Sequence, residues 1–263
     1  SDSSLKCLII GPKGTRLPVN DGEVTELNFE GQEFSPVEVT LVAAATSTLA
    51  ALNSLRCGNN PGMVGELDGS GRLKTPDAHA EVFKQLTDSL KTSQVTEVDF
   101  SSCGIGAVAL GHLSDWVRDA TAVLTSLALG SNPVGDKAMV GLLEALKEVS
   151  LTSLDVSSTG CKVSTASKLA ELLSGATKFS AAVYEVNISM NPIGVDGAKA
   201  LGNVISGSSL KCLIIGPKGT RLPVNNEDVT ELHFEGQEFG PAEVTLVAAA
   251  TSTLAASVEV IKL

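Results

Sequence analysis

Aromatic side chains are scarce in this sequence: one Trp, one Tyr and seven Phe amount to 3% of 263 residues. Packing therefore falls to Leu, Val and Ala within a hydrophobic share of 43%, which suits thin, regular layers better than one bulky core. Basic residues are also in deficit, 19 Lys and Arg against 30 Asp and Glu, for a net charge of −11. That balance argues against nucleic acid or an anionic membrane surface as the main partner, because both require basic surface. No apolar run approaches the roughly 18 residues of a membrane span, and no leader pattern opens the chain, so no membrane insertion is expected. The five cysteines, Cys7, Cys57, Cys103, Cys161 and Cys212, form no CxxC pair. An odd number without such pairs fits neither a zinc site nor a disulfide framework, and it points to a reducing compartment.

Chemical motifs are missing as well. The sequence holds no Walker loop, GxGxxG, HExxH or GxSxG pattern. His79, His112 and His233, placed by the pattern on a helix, a helix and a strand, have no local Cys or carboxylate partner at a catalytic spacing. His233 stands where the first copy of its segment has Asn28, so the segment does not require it. The reading is of no catalytic residue, no metal ligand set and no cofactor. The nearest thing to a phosphate loop is Gly11-Pro12-Lys13-Gly14-Thr15-Arg16, repeated at 216–221, where Lys13 and Arg16 could hold an anion against backbone amides. It lacks the helix start that would supply a dipole, and the plainer reading is a turn joining two strands.

What the sequence has in abundance is repetition. Residues 1–51 align without a gap on 206–256, with 44 of 51 positions identical. Inside this 205-residue block runs a finer LxxLxL period, with triplets Leu5/Leu8/Ile10, Val24/Leu27/Phe29, Leu52/Leu55/Cys57, Val95/Val98/Phe100, Leu124/Leu127/Leu129, Leu151/Leu154/Val156 and Val183/Val186/Ile188. The second copy supplies Leu210/Leu213/Ile215 and Val229/Leu232/Phe234, and the chain stops on Val258/Ile261/Leu263. The fourth and sixth positions of each triplet point inward from a short strand of period two, and one such unit buries its apolar face only by stacking on its neighbours.

Between strands lie helix signals. Ser35-Pro36-Val37-Glu38 is a capping box with Pro at the first helical position, and Gly240-Pro241-Ala242-Glu243 repeats it with Gly as cap. Thr75-Pro76 predicts the start of the next helix, with Val82, Leu86 and Leu90 as its inward stripe. Later stripes are Leu110/Leu113/Val117, Met139/Leu142/Leu143/Leu146, Leu169/Leu172/Leu173 and Ala198/Leu201/Ile205. Two units depart from the norm. The first, of 19 residues, is too short for a helix, and its GPKGTRLPVN segment reads as an irregular crossover; a 43-residue unit carries a polar insertion at about 58–74. Such an insertion is either a tolerated loop or a place for specific contacts.

Asn191-Pro192-Ile193-Gly194-Val195-Asp196-Gly197-Ala198-Lys199-Ala200-Leu201 and Asn132-Pro133-Val134-Gly135-Asp136 complete the pattern. Spacing, strand and helix signals together resemble the leucine-rich-repeat family, in its long-repeat, ribonuclease-inhibitor-like class. The resemblance implies an α/β solenoid: a curved parallel sheet on the concave face, helices and irregular crossovers on the convex face, and ten strands side by side in chain order. One domain would span 1–263, with 1–205 a full block of seven repeats and 206–263 the start of a second. Neither end carries a polar cap, so the chain reads as a fragment of a longer tandem array. The family places an Asn eight residues past each first Leu; here that position reads Lys13, Gln32, Asn60, Cys103, Asn132, Thr159, Asn191, Lys218 and Gln237, a degraded ladder.

The family's usual binding face is the concave one. There Glu97, Asp99, Asp155, Tyr184 and Glu185 form the candidate partner-binding patch, with Tyr184 the sole aromatic. Cys7 with Ile9, repeated as Cys212 with Ile214, gives an apolar stripe once per block, a candidate contact between blocks or covered by the adjacent loop. The first functional reading is a non-enzymatic interaction or structural scaffold, binding a protein partner or copies of itself in a longer array. The alternatives are a regulatory adaptor or GTPase-activator-like protein, and a cell-surface recognition or adhesion array. The expected compartment is cytoplasmic, with cytoskeletal association one version of that and an extracellular location left open.

Overall fold

The structure, a computed structural model, describes residues 5–119, 124–254 and 258–262. The chain divides into two compact units, Ser1–Val134 and Gly135–Leu263.

The first unit opens with β1 (Cys7–Ile10) and β2 (Thr15–Pro18), an antiparallel hairpin with Leu8 opposite Leu17. The GPKG segment is thus a tight turn, and the irregular crossover expected there is not formed. Gly11 and Gly14 take φ of +68° and +66°, which lets the chain reverse within four residues. After the hairpin, strands and helices alternate: β3 (Glu26–Asn28), α1 (Pro36–Thr46), β4 (Ser54–Arg56), then β5 (Glu66–Leu67) and β6 (Leu73–Thr75), α2 (Ala80–Leu90), β7 (Glu97–Asp99), α3 (Ala107–Asp119) and β8 (Ser126–Ala128). β3, β4, β7 and β8 pair in parallel, with Leu27, Leu55, Val98 and Leu127 aligned across all four strands. These four are buried, as the period-two reading requires, while the flanking positions are exposed or half-buried on the other face, except Ser54, which is buried.

The second unit continues with α4 (Asp136–Leu146), β9 (Ser153–Asp155), α5 (Val163–Ser174), α6 (Lys178–Ala182), β10 (Glu185–Asn187), α7 (Gly194–Ile205) and β11 (Cys212–Ile215). β12 (Thr220–Pro223), β13 (Glu231–His233), α8 (Pro241–Thr253) and β14 (Val260–Lys262) follow. β9, β10 and β11 pair in parallel, with Leu154, Val186 and Leu213 aligned and buried. β12 then folds back antiparallel on β11, and β13 pairs in parallel with β14 in a separate two-stranded sheet.

The expectation of ten strands side by side in chain order is therefore not met. The return strand of each hairpin takes the edge that the next repeat would use. Because Val224 N–H donates to Lys211 carbonyl, the alternation of an antiparallel ladder turns the backbone nitrogens of Arg221 and Pro223 toward the far edge. Pro223 has no N–H to offer there, so further pairing is discouraged.

Helix starts follow the sequence signals with two exceptions. Ser35 and Glu38 form the full capping box; Gly240 has no side chain, so only the bond from its N–H to Glu243 is made. The helix expected at Thr75-Pro76 starts at Ala80 instead, because Leu73–Thr75 is a strand, and its buried stripe is Phe83, Leu86 and Leu90, with Val82 half-buried. The other four stripes are buried as read. The insertion at 58–74 is half core and half surface: Met63 and Val64 are fully buried, whereas the β5–β6 hairpin tip is exposed.

Candidate functional site

Every repeat must close a turn after its strand without leaving buried backbone groups unpaired. Asn60, Asn132 and Asn191 do this. Asn132 Nδ2 donates to the carbonyls of Phe100 and Leu129, and its Oδ1 accepts from the N–H groups of Cys103 and Ile105. One amide thus ties its own repeat to the one before. Asn60 and Asn191 act in the same way on Phe29 and Phe34 and on Val156, Thr159 and Cys161. Where the ladder is not Asn, weaker substitutes stand: Cys103 Sγ donates to Cys57 carbonyl at 3.1 Å, and Thr159 Oγ1 to Val156 carbonyl at 2.6 Å. Burial pushes the thiols of Cys57, Cys103 and Cys161 above the ordinary cysteine range, which leaves them structural rather than reactive.

A second device, not read from the sequence, passes between repeats on the helix side. The Asp77 carboxylate accepts from the N–H groups of Gly106, Val108 and Ala109 and so caps α3 from the preceding repeat. Asp136 does the same for α5, accepting from Lys162 N–H, Thr165 N–H and Thr165 Oγ1. Burial would raise the Asp136 pKa, but the Thr165 hydroxyl and these N–H groups outweigh it and hold it at about 2, against an ordinary 3.8. A depressed carboxylate stabilises the fold above its unfolded pKa and ceases to as pH falls through the folded one. The Asp136→Ala variant is thus expected to unfold about 2 kcal/mol more easily at pH 7, with the gap about halved by pH 3. Urea unfolding midpoints at both pH values check this; a gap that does not change with pH would refute the assignment.

The strand face carries the candidate patch. In the first unit Glu97 is exposed and Asp99 half-buried on β7, in register with Ser54 and Arg56 of β4. They line a shallow hollow of about 190 Å³ with Ser126 and Ala128. Arg56, which alternation also places on this face though outside the candidate patch, pairs with Glu26 at 3.4 Å and gives the face a positive centre. The Ser54 hydroxyl is buried there with no hydrogen-bond partner among the described residues.

In the second unit Asp155 accepts from Asn187 Nδ2 at 2.9 Å, Glu185 is paired with Arg221, and Tyr184 stands 57% exposed. Tyr184 borders a polar hollow of about 430 Å³ with Lys211, Asn225, Asn226, Glu227 and Asp228. Asp99 and Asp155 also have a local task. Each accepts from the N–H two residues on, as Asn28 and Asn187 do, which ends the strand in an Asx turn. The recurrence of Asn or Asp at that place in four triplets was a legible sign of it.

The remaining candidates are placed as follows. Lys13 Nζ donates to Gly31 carbonyl and pairs with Glu33, and Lys218 does the same with Gly236 and Glu238. These lysines brace the hairpin turn and are not held out for an anion. Ile9 is 64% exposed and Cys7 half-buried, while their copies differ: Cys212 is buried and Ile214 half-buried under β10. His79 lies just before α2 rather than in a helix, His112 lies in α3 and His233 in β13 beside Glu231. Among the described residues no group of three or more His, Cys, Asp or Glu could hold a metal ion, and no helix is long and apolar enough to cross a membrane.

A family model described as leucine-rich repeat matches residues 122–143 and 185–202. No curated protein matches the sequence. Among solved structures, the actin-binding site 2 of leiomodin-1 is similar at 17% identity, over 50% of this chain and 68% of that chain, with a TM-score of 0.40.

Proposed function

We propose, from the premise that this chain is a leucine-rich-repeat protein, that it is a non-enzymatic scaffold whose strand face binds another protein. One observation carries this reading. The parallel ladders hold their inward columns in a closed core and set every flanking side chain on one face at fixed spacing, about 4.8 Å between strands. Such a face recognises an extended surface, not a small molecule, and its hollows are shallow and polar. We read the chain as part of a solenoid of the ribonuclease-inhibitor-like class, built from near-identical blocks, with cytoplasmic free thiols. Each unit's strand face, taken by itself, meets basic protein surface, through Glu97 and Asp99 in the first unit and through the exposed Tyr184 beside Asp155 in the second, in keeping with the net charge of −11.

The test uses exposed residues, so that folding is spared. Crosslinking mass spectrometry on the wild-type chain, Glu97→Lys and Tyr184→Ala should find the same partner, with capture reduced about tenfold in each variant. The helix-side Glu148→Lys change should leave capture intact. Capture that survives both strand-face changes and is lost with Glu148→Lys would reassign the binding face.

A further inference from the structure

The two copies of the hairpin and its helix are a controlled comparison, the same residues in two surroundings. In the second copy, β11 has β12 on one edge and β10 on the other. Tyr184 carbonyl accepts from the N–H groups of Lys211 and Cys212, and Ile188 N–H donates to Ile214 carbonyl. α7 lies on α8 so closely that a Cβ at Gly202 would stand 2.9 Å from that of Ala249. Arg221 on β12 reaches across β11 to Glu185. Under this cover Cys212, Leu213 and Leu246 are buried.

In the first copy the identical residues Cys7, Leu8 and Leu41 are only half-buried, and Ala44, the match of Ala249, is exposed. Ile9 reaches 64% exposure, and Arg16, the match of Arg221, is exposed. β1 pairs only with β2 among the described residues, which leaves its second edge open. An apolar strand edge with open backbone groups is a template for one more strand.

We propose that this edge of β1, continued by Leu41 and Ala44 of α1, docks a strand–helix unit of the β10–α7 kind presented by another block. A parallel strand with Glu opposite Cys7 would meet Arg16, as Glu185 meets Arg221. The ion pair sets the register, since a slip by one residue turns the acidic side chain away from Arg16 and into the core. This deepens the reading of repeated blocks, on which it rests, by naming what joins one block to the next. The junction is the hairpin, and the same hairpin ends the parallel ladder on its far side.

The experiment titrates the 263-residue chain with a synthetic peptide of residues 183–205, followed by calorimetry and amide exchange. Saturable one-to-one binding is expected, with slowed exchange at residues 7–10. Arg16→Glu should weaken it about tenfold, and a peptide carrying Glu185→Arg should restore it. Ile9→Asp should weaken it too; both positions are exposed, so the chain keeps its fold, which circular dichroism checks. No saturation by about 1 mM peptide would overturn the proposal. So would binding unchanged in both variants, slowed exchange at residues 212–215 instead, or chain dimers abolished by Ile9→Asp, which would make a second copy the occupant. None of these outcomes touches the partner-binding reading, which stands or falls on the Glu97 and Tyr184 variants.

Discussion

Asn132→Ala is expected to lower the unfolding free energy by about 3 kcal/mol, because it strands the N–H groups of Cys103 and Ile105 and the carbonyls of Phe100 and Leu129 where water cannot replace the amide. For a chain of this length that is a fall of roughly 8 °C in Tm. Thr159→Ala removes a single hydroxyl donor to Val156 carbonyl and should cost about 1 kcal/mol. Calorimetric melts of the two variants rank them. If they melt together, the Asn side chain is no more than a local turn former and the ladder account fails.

The Gly104→Ala change should be about as damaging, for a different reason. Gly104 takes φ of +76°, and a Cβ there would lie 2.6 Å from Pro61 carbonyl and 2.7 Å from Gly65 nitrogen. Here the insertion lies on the following repeat, held by Val64 N–H to Cys103 carbonyl and Asp77 N–H to Gly104 carbonyl. Conformational strain of about 1 kcal/mol adds to overpacking of about 2 kcal/mol, with backbone rather than a flexible side chain as the obstacle. Gly31→Ala, at φ of +63° with nothing within 4 Å, carries the strain alone and should cost about 1 kcal/mol. Amide exchange should quicken at Val64 and Asp77 in the Gly104 variant only. Equal losses in the two variants would mean that the close approach carries no energy.

The inward columns, the helix stripes and the Asn ladder were legible because each depends on a local period or a single side-chain chemistry. The candidate patch was legible only in part. Alternation puts Glu97, Asp99, Asp155 and Glu185, with Ser54 and Arg56, on strand faces. That Ser54 and Arg56 lie in register with Glu97 and Asp99, and that the Ser54 hydroxyl lacks a partner among the described residues, follows only from laying β4 beside β7. Alternation places Glu185 in the candidate patch but does not reveal its pairing with Arg221, 36 residues on. The capping of α3 by Asp77 and of α5 by Asp136 spans 26 to 32 residues, beyond the reach of local capping rules. The insertion misled because its Gly-rich composition reads as surface, while Met63 and Val64 within it are core.

The sequence by itself determined that this protein is built of stacked strand–helix repeats, since a spacing of apolar residues repeated this often leaves a short chain segment only one way to hide them. Tertiary structure alone decided where the stacking stops. The turns at five ladder positions have a left-handed residue just before them, and Asn59, Ser102, Ser131, Ser158 and Met190 supply it without the glycine that would have announced it. Whether Thr15–Pro18 crosses to the next repeat or folds back on its own strand is settled by which partner its backbone finds. Hydrogen bonds between strands are made by backbone groups that nearly all residues carry, so apolar periodicity alone does not record the choice.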